Sequence, residues 1–160
     1  MDELIAIPTK YNHYTFRSRM EARWAVFFDG MGIKWDYEKE GFKLEDILYL
    51  PDFELLTFQG GCFVEVKPVE FTEEETEKAN LLVIKSNRPL WKAIGVPDYK
   101  EYDVIFPVGD GTTYTLKGIP NVGVASDRMF IDSGPLDLFQ LSDKYVMALE
   151  NSRYFKFPHG

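Results

Sequence analysis

Pro51-Asp52-Phe53, followed eleven residues later by Val64-Glu65-Val66-Lys67, is the stretch whose reading decides the fold. Cys62–Val66 is a short apolar run of strand character, and Ile47–Phe58 is a second strand pattern with Pro51 inside it. Proline cannot donate to a sheet ladder, so this strand starts at Pro51 or lies at an edge there. Gly60-Gly61 supplies the turn that folds the two runs into a hairpin. With the turn there, Asp52 and Glu65 fall opposite each other at the far ends of the strands. Glu65 and Lys67, two residues apart, share one face. Two carboxylates and one ammonium then meet at one point, surrounded by Phe63, Val64 and Val66. Charges near a core are costly without a function.

Upstream, Phe16, Met20, Trp24, Phe27, Phe28 and Met31 recur at three- and four-residue steps, which predicts a helix stopped near Gly30 and Gly32. It carries Glu21. Ser18 and Glu21 have capping-box spacing, whereas a cap at Thr15 would leave Glu21 inside the helix. Ile33, Trp35 and Tyr37 alternate with polar residues, as a half-buried strand does. Downstream, Thr72 and Glu75 form a second capping box for a helix to about Ser86, closed by Asn87. Leu90–Val96 and Tyr102–Val108 are further strands. Residues 109–135 read as a loop-rich stretch with short strands, the start of a C-terminal extension over 109–160, and Asp143–Arg153 as a last helix. The expected fold is a mixed α/β (α+β) single domain over residues 1–160. Its core spans about 14–108, with a central mixed sheet of four to five strands flanked by helices.

Composition sets the outer limits. The chain has 160 residues, 45% hydrophobic and 16% aromatic, which excludes disorder over most of its length. No apolar run is long enough for a membrane span, and no basic-then-apolar start predicts a secretory signal. The single cysteine, Cys62, excludes a disulfide framework and a Cys-based zinc site, and fits a cytoplasmic location. His13 and His159 are the only histidines and lie far apart. Eighteen basic against 26 acidic residues leave a net charge of -8, which argues against a broad basic DNA-binding face. It leaves room for a few carboxylates around a metal ion. Glu70 and Glu73–Glu77 read as a solvated helix start favoured by the helix dipole.

Taken together, Pro51-Asp52, Glu65-Val66-Lys67 and the glutamate-bearing helix resemble the PD-(D/E)xK nuclease superfamily. The segment Tyr14-Thr15-Phe16-Arg17-Ser18-Arg19-Met20-Glu21-Ala22-Arg23-Trp24-Ala25 looks like the opening of its small phage-type members. The likeness spans roughly residues 8–95. It implies a restriction-endonuclease-like core and a Mg²⁺-dependent nuclease, with Mn²⁺ as substitute, acting on nucleic acid, with DNA the expected substrate. By the resemblance, Glu21, Asp52 and Glu65 place the metal, with the Val66 carbonyl as a further ligand, and Lys67 positions the attacking water. Lys78 and Asn80 on the following helix are accessory candidates. Arg17, Arg19 and Arg23 form a candidate patch for the phosphate backbone. If the chain is phage-encoded, the host cytoplasm is its place. The alternative is a nuclease-fold binding or inhibitory protein that acts on a protein partner without cleavage; the acidity favours it. A homodimer is a further option.

Overall fold

β6 (Phe53–Leu55) and β7 (Cys62–Lys67) pair antiparallel, with Phe53 opposite Val64 and Leu55 opposite Cys62. This is the register that places Asp52 across from Glu65. The computed structural model describes residues 6–56, 61–98, 100–122, 129–132 and 143–158, with 118–122 and 129–132 given as backbone. Of the proposed turn, Gly60 lies outside the described residues, and Gly61 has a left-handed φ of 83°.

Around this pair the sheet grows in both directions. β3 (Trp35–Tyr37) pairs antiparallel with β6, and β8 (Leu90–Ile94) pairs parallel with β7. β9 (Tyr102–Pro107) and β10 (Thr113–Val122) continue it antiparallel. The order β3-β6-β7-β8-β9-β10 gives six strands rather than four to five. A seventh, β11 (Met129–Asp132), pairs with the far end of β10. The difference comes from the stretch read as loop-rich. Asp110-Gly111 is indeed a turn, and Thr113–Lys117 return along β9, with Tyr114 and Leu116 alternating with polar residues.

The one parallel step among the described residues, β7 to β8, needs a crossover, and α2 (Glu73–Ser86) supplies it. Thr72 caps α2 with a complete capping box to Glu75, and Asn87 closes it in the left-handed conformation. α1 (Arg19–Met31) ends at Gly32, also left-handed. Ser18, not Thr15, is its N-cap. The residues before α1 form a small hairpin, β1 (Thr9–Tyr11) with β2 (Tyr14–Phe16).

Two cores follow from the two-residue period of β7. Cys62, Val64 and Val66 face α1 and α3 (Asp143–Tyr154), whose Trp24, Phe28, Tyr145, Ala148 and Leu149 bury against them with Phe53, Trp91 and Val104. Phe63 faces the other way, packing with Leu90, Ile105, Phe71 and the Ala79, Leu82 and Val83 face of α2. Glu65 and Lys67 alternate onto that second face. Fully burying an aromatic such as Phe53 or Trp24 contributes about 1.5–3 kcal/mol, enough to hold this register against a slip.

The run Ile47–Phe58 is not one strand. It breaks at Leu50-Pro51-Asp52 into β6 and β5 (Ile47–Tyr49), which pairs with β4 (Phe42–Leu44) as a separate hairpin. Pro51, lacking an N–H, stands at the break.

Candidate active site

Asp52 immediately follows the break and is pinned by its backbone. Its carbonyl accepts from the Glu38 N–H at 2.9 Å, and its own N–H donates to Glu65 Oε1 at 3.3 Å. In return, the Val66 N–H donates to Asp52 Oδ2 at 2.8 Å. The two acids of the motif are therefore held side by side by the hairpin itself. Glu65 is buried, and its other oxygen accepts from the Tyr49 hydroxyl at 2.5 Å. That contact exists because β5 broke away at Pro51 and folded over the end of β7.

The electrostatics follow from this crowding. Burial pushes the Asp52 carboxyl well above its ordinary range, and the neighbouring Glu65 and Glu21 carboxyls push it the same way, against the Val66 N–H bond. The Tyr49 hydroxyl is likewise held up, by burial first and then by Glu65. Burial alone would lower Lys67, but its hydrogen bond to Glu75 and the charges of Glu65, Glu75 and Asp52 outweigh that and hold it above its usual value. Lys67 stays cationic at neutral pH, as its acidic neighbours predict.

Lys67 Nζ lies 2.7 Å from Glu75 Oε2. Glu75 is thus more than a solvated residue at a helix start. Its other oxygen accepts from the Thr72 N–H at 2.9 Å, so the capping box of α2 also anchors the motif lysine. Lys67 and Glu65 open onto a cleft of about 210 Å³ shared with Tyr49, Phe71, Glu75 and Lys78. Lys78 is thus on the cleft wall, with Glu74 at 3.3 Å. Asn80 points elsewhere: its Oδ1 accepts from the Thr113 hydroxyl at 3.4 Å.

Glu21 is buried in the first turn of α1, accepting from the Ser18 hydroxyl at 2.9 Å and the Tyr37 hydroxyl at 3.1 Å. Its charge reaches Asp52. Among the described residues, however, no three His, Cys, Asp or Glu side chains converge into a group able to hold a metal ion, so the structure joins Asp52 to Glu65 and leaves Glu21 one step back. Glu54, two residues after Asp52, is taken up by Arg88 at 2.6 Å.

The three arginines part company. Arg17 pairs with Glu38 at 2.8 Å, and Arg19 is exposed on the first turn of α1. Arg23 is half-buried and donates through Nη1 to the carbonyls of Ser152 and Arg153 at 2.8 and 2.9 Å.

Two cleft groups, Tyr49 and Glu75, were not legible from the motif, nor was Lys92, which packs beside the cleft residue Phe71. Lys92 stands beside Glu65 in the parallel register and on the same face. It is buried, with its ammonium 3.1 Å from Glu70 and 4.6 Å from the centre of the Phe71 ring. A lysine between Trp91 and Ala93 in an apolar strand is the signal that points to it. No helix among the described residues is long and apolar enough to cross a membrane. Comparison with protein-family models, with curated proteins and with solved structures finds no match for this chain.

Proposed function

We propose that this protein is a small divalent-metal-dependent nuclease, built on a restriction-endonuclease-like core, that hydrolyses phosphodiester bonds, with DNA the preferred substrate. The observation that carries the reading is the junction of Asp52, Glu65 and Lys67 at the end of one hairpin. Two carboxyls are held together there at an electrostatic cost, beside a lysine kept cationic.

The donor set fits a hard divalent cation. Mg²⁺ takes oxygen ligands, keeps several waters and needs only one or two carboxylates. Burial raises Asp52 most, and a cation beside Asp52 and Glu65 would offset the like-charge repulsion that adds to it. Asp52 and Glu65 would hold it, with the Val66 carbonyl adjacent and Glu21 adding negative charge behind them. Bound there, Mg²⁺ supplies Lewis acidity toward a phosphoryl oxygen and eases ionisation of a water. Lys67 offers three N–H donors at the cleft wall to orient that water or a phosphate oxygen, and Glu75 keeps its ammonium in place. Lys78 and Lys92 add positive charge on the same side of the sheet. With the low overall basicity, binding is weak and salt-sensitive.

The test is incubation with linear, nicked, branched and single-stranded DNA, and with RNA, with and without Mg²⁺ or Mn²⁺. Cleavage should need the metal and disappear in Lys67→Ala and Glu65→Gln variants that melt as the wild type does. Metal-independent cutting, or equal cutting by Lys67→Ala, overturns the reading. A second reading, a binding protein without cleavage, is favoured by the exposed Ile47, Leu48 and Leu50 at the cleft rim. An inert protein whose partner binding is lost on Leu48→Asp would support it.

A further inference from the structure

A second groove, sharing no lining residue with the carboxyl cleft, runs between the β1–β2 hairpin and the tail after α3. It holds about 440 Å³, and its walls include Lys10, Tyr11, His13, Tyr14, Phe155 and Lys156. No Asp or Glu lines it, although the chain carries a net charge of -8. Lys10 and Lys156 are exposed and form no ion pair among the described residues.

The aromatic walls are held rigidly. Asn12 and His13 adopt left-handed φ values of 50° and 70°, the two-residue turn that brings Tyr11 opposite Tyr14. The Tyr11 ring packs edge-on against Phe155 at 5.2 Å, and its hydroxyl is tied to Asp29. Tyr14 leans on Trp35 at 4.9 Å and on Phe16 at 5.9 Å. Phe155 nevertheless remains 37% exposed, and the neighbouring Tyr154 72%. Preset rings beside unpaired ammonium groups suit a ligand with flat faces and a negative backbone.

We propose that this groove binds a single-stranded stretch of nucleic acid, its bases against Tyr14 and Phe155 and its phosphates beside Lys10 and Lys156. The inference rests on the nuclease reading for its substrate class, and adds the form of strand that the protein grips. The path is short. β2 leaves the groove at Phe16, and the exposed Arg17 and Arg19 flank Ser18, the N-cap of the helix that carries Glu21. From Tyr14 to Ser18 is about 13 Å of extended chain. A strand seated in the groove therefore leads toward the acidic end of the hairpin.

The test is fluorescence anisotropy of a labelled ten-nucleotide oligothymidylate, with EDTA present so that nothing is cut, against a blunt duplex of equal length. Lys10→Ala/Lys156→Ala should weaken oligothymidylate binding about tenfold at low salt, and reduce the slope of log affinity against log salt by about 1.4, two phosphate contacts' worth. Duplex binding should shift less than twofold. Phe155→Ser, at an exposed ring, should cost a similar factor with little change in slope. No binding by the wild type, or unchanged affinity in the double lysine variant, overturns the proposal. Its failure is separable from that of the nuclease reading. Metal-dependent cleavage lost in Lys67→Ala, with oligothymidylate affinity untouched in the double variant, sinks the groove alone. Weakened binding in a protein that cuts nothing sinks the nuclease alone.

Discussion

Replacing Arg23 by Met separates two roles that its position on α1 suggests. Its neighbours Arg17 and Arg19 make it a candidate phosphate contact, yet its guanidinium faces inward to the last turn of α3. The Ser152 and Arg153 carbonyls it meets at 2.8 and 2.9 Å belong to a helix end with no further turn to accept from. It also lies 5.4 Å from the centre of the Phe157 ring. Charged hydrogen bonds are worth about 1.5–3 kcal/mol each, but at a half-buried site water takes over part of the lost contact, so about 0.75 kcal/mol apiece is reasonable. The ring contact adds about 0.5 kcal/mol. Met keeps the apolar stem, so the loss is about 2 kcal/mol. For a chain of 160 residues that is a fall of about 4–8 °C in melting temperature. Thermal unfolding followed by circular dichroism reads it, with oligonucleotide affinity measured across salt concentrations well below the transition. The expected pair is a lower melting point and an unchanged salt slope. A melting point within 1 °C of wild type, with the slope reduced by about 0.7, would refute the clamp and return Arg23 to the phosphate.

Asp52→Asn should raise the melting temperature at pH 8 and leave it unchanged near pH 3. The raised carboxyl stabilises the fold only while protonated, and that stability drains away as pH climbs through its folded value, so a gain equal at both pH values would contradict the burial and crowding by Glu65. Gly30→Ala places a Cβ 2.9 Å from that of Ala148, and the overpacking of about 1–3 kcal/mol should outweigh the roughly 1 kcal/mol of helix propensity gained; a higher melting point, or no rescue by Ala148→Gly, would count against the close α1–α3 approach. Thr72→Ala removes the cap of α2 at a cost of about 1 kcal/mol, or about 2–4 °C, and urea titration should show it as a lower midpoint at constant slope.

Much of the site was open to reading because its parts are close in the chain. Thirteen residues separate Asp52 from Glu65. A hairpin's register follows from where it turns and which residues alternate, so the facing of these two acids needed only local rules. Lys67 then fell on the Glu65 face by the period of a strand. The capping box at Thr72 and Glu75, and the left-handed stops at Gly32 and Asn87, are likewise chemistry within a few residues. The full length of β10 was not legible: its alternation of Tyr114 and Leu116 with polar residues covers only a short strand, and pairing with β9 decides how far it runs.

The sequence by itself determined the helix order, the central hairpin and the pairing of two acids with a lysine, since spacing and turn chemistry act over a few residues. Tertiary packing alone decided what surrounds them. Pro51 breaks the strand, but only the folded-back β5 hairpin shows Tyr49 on Glu65. Glu75 anchors Lys67 because the α2 crossover returns over β7, and Lys92 joins that face because β8 pairs parallel in one register. Arg23, one turn from its fellow arginines, is claimed by α3 almost the whole chain away. Each of these contacts is set by the distance and angle between packed elements, which no window of sequence contains.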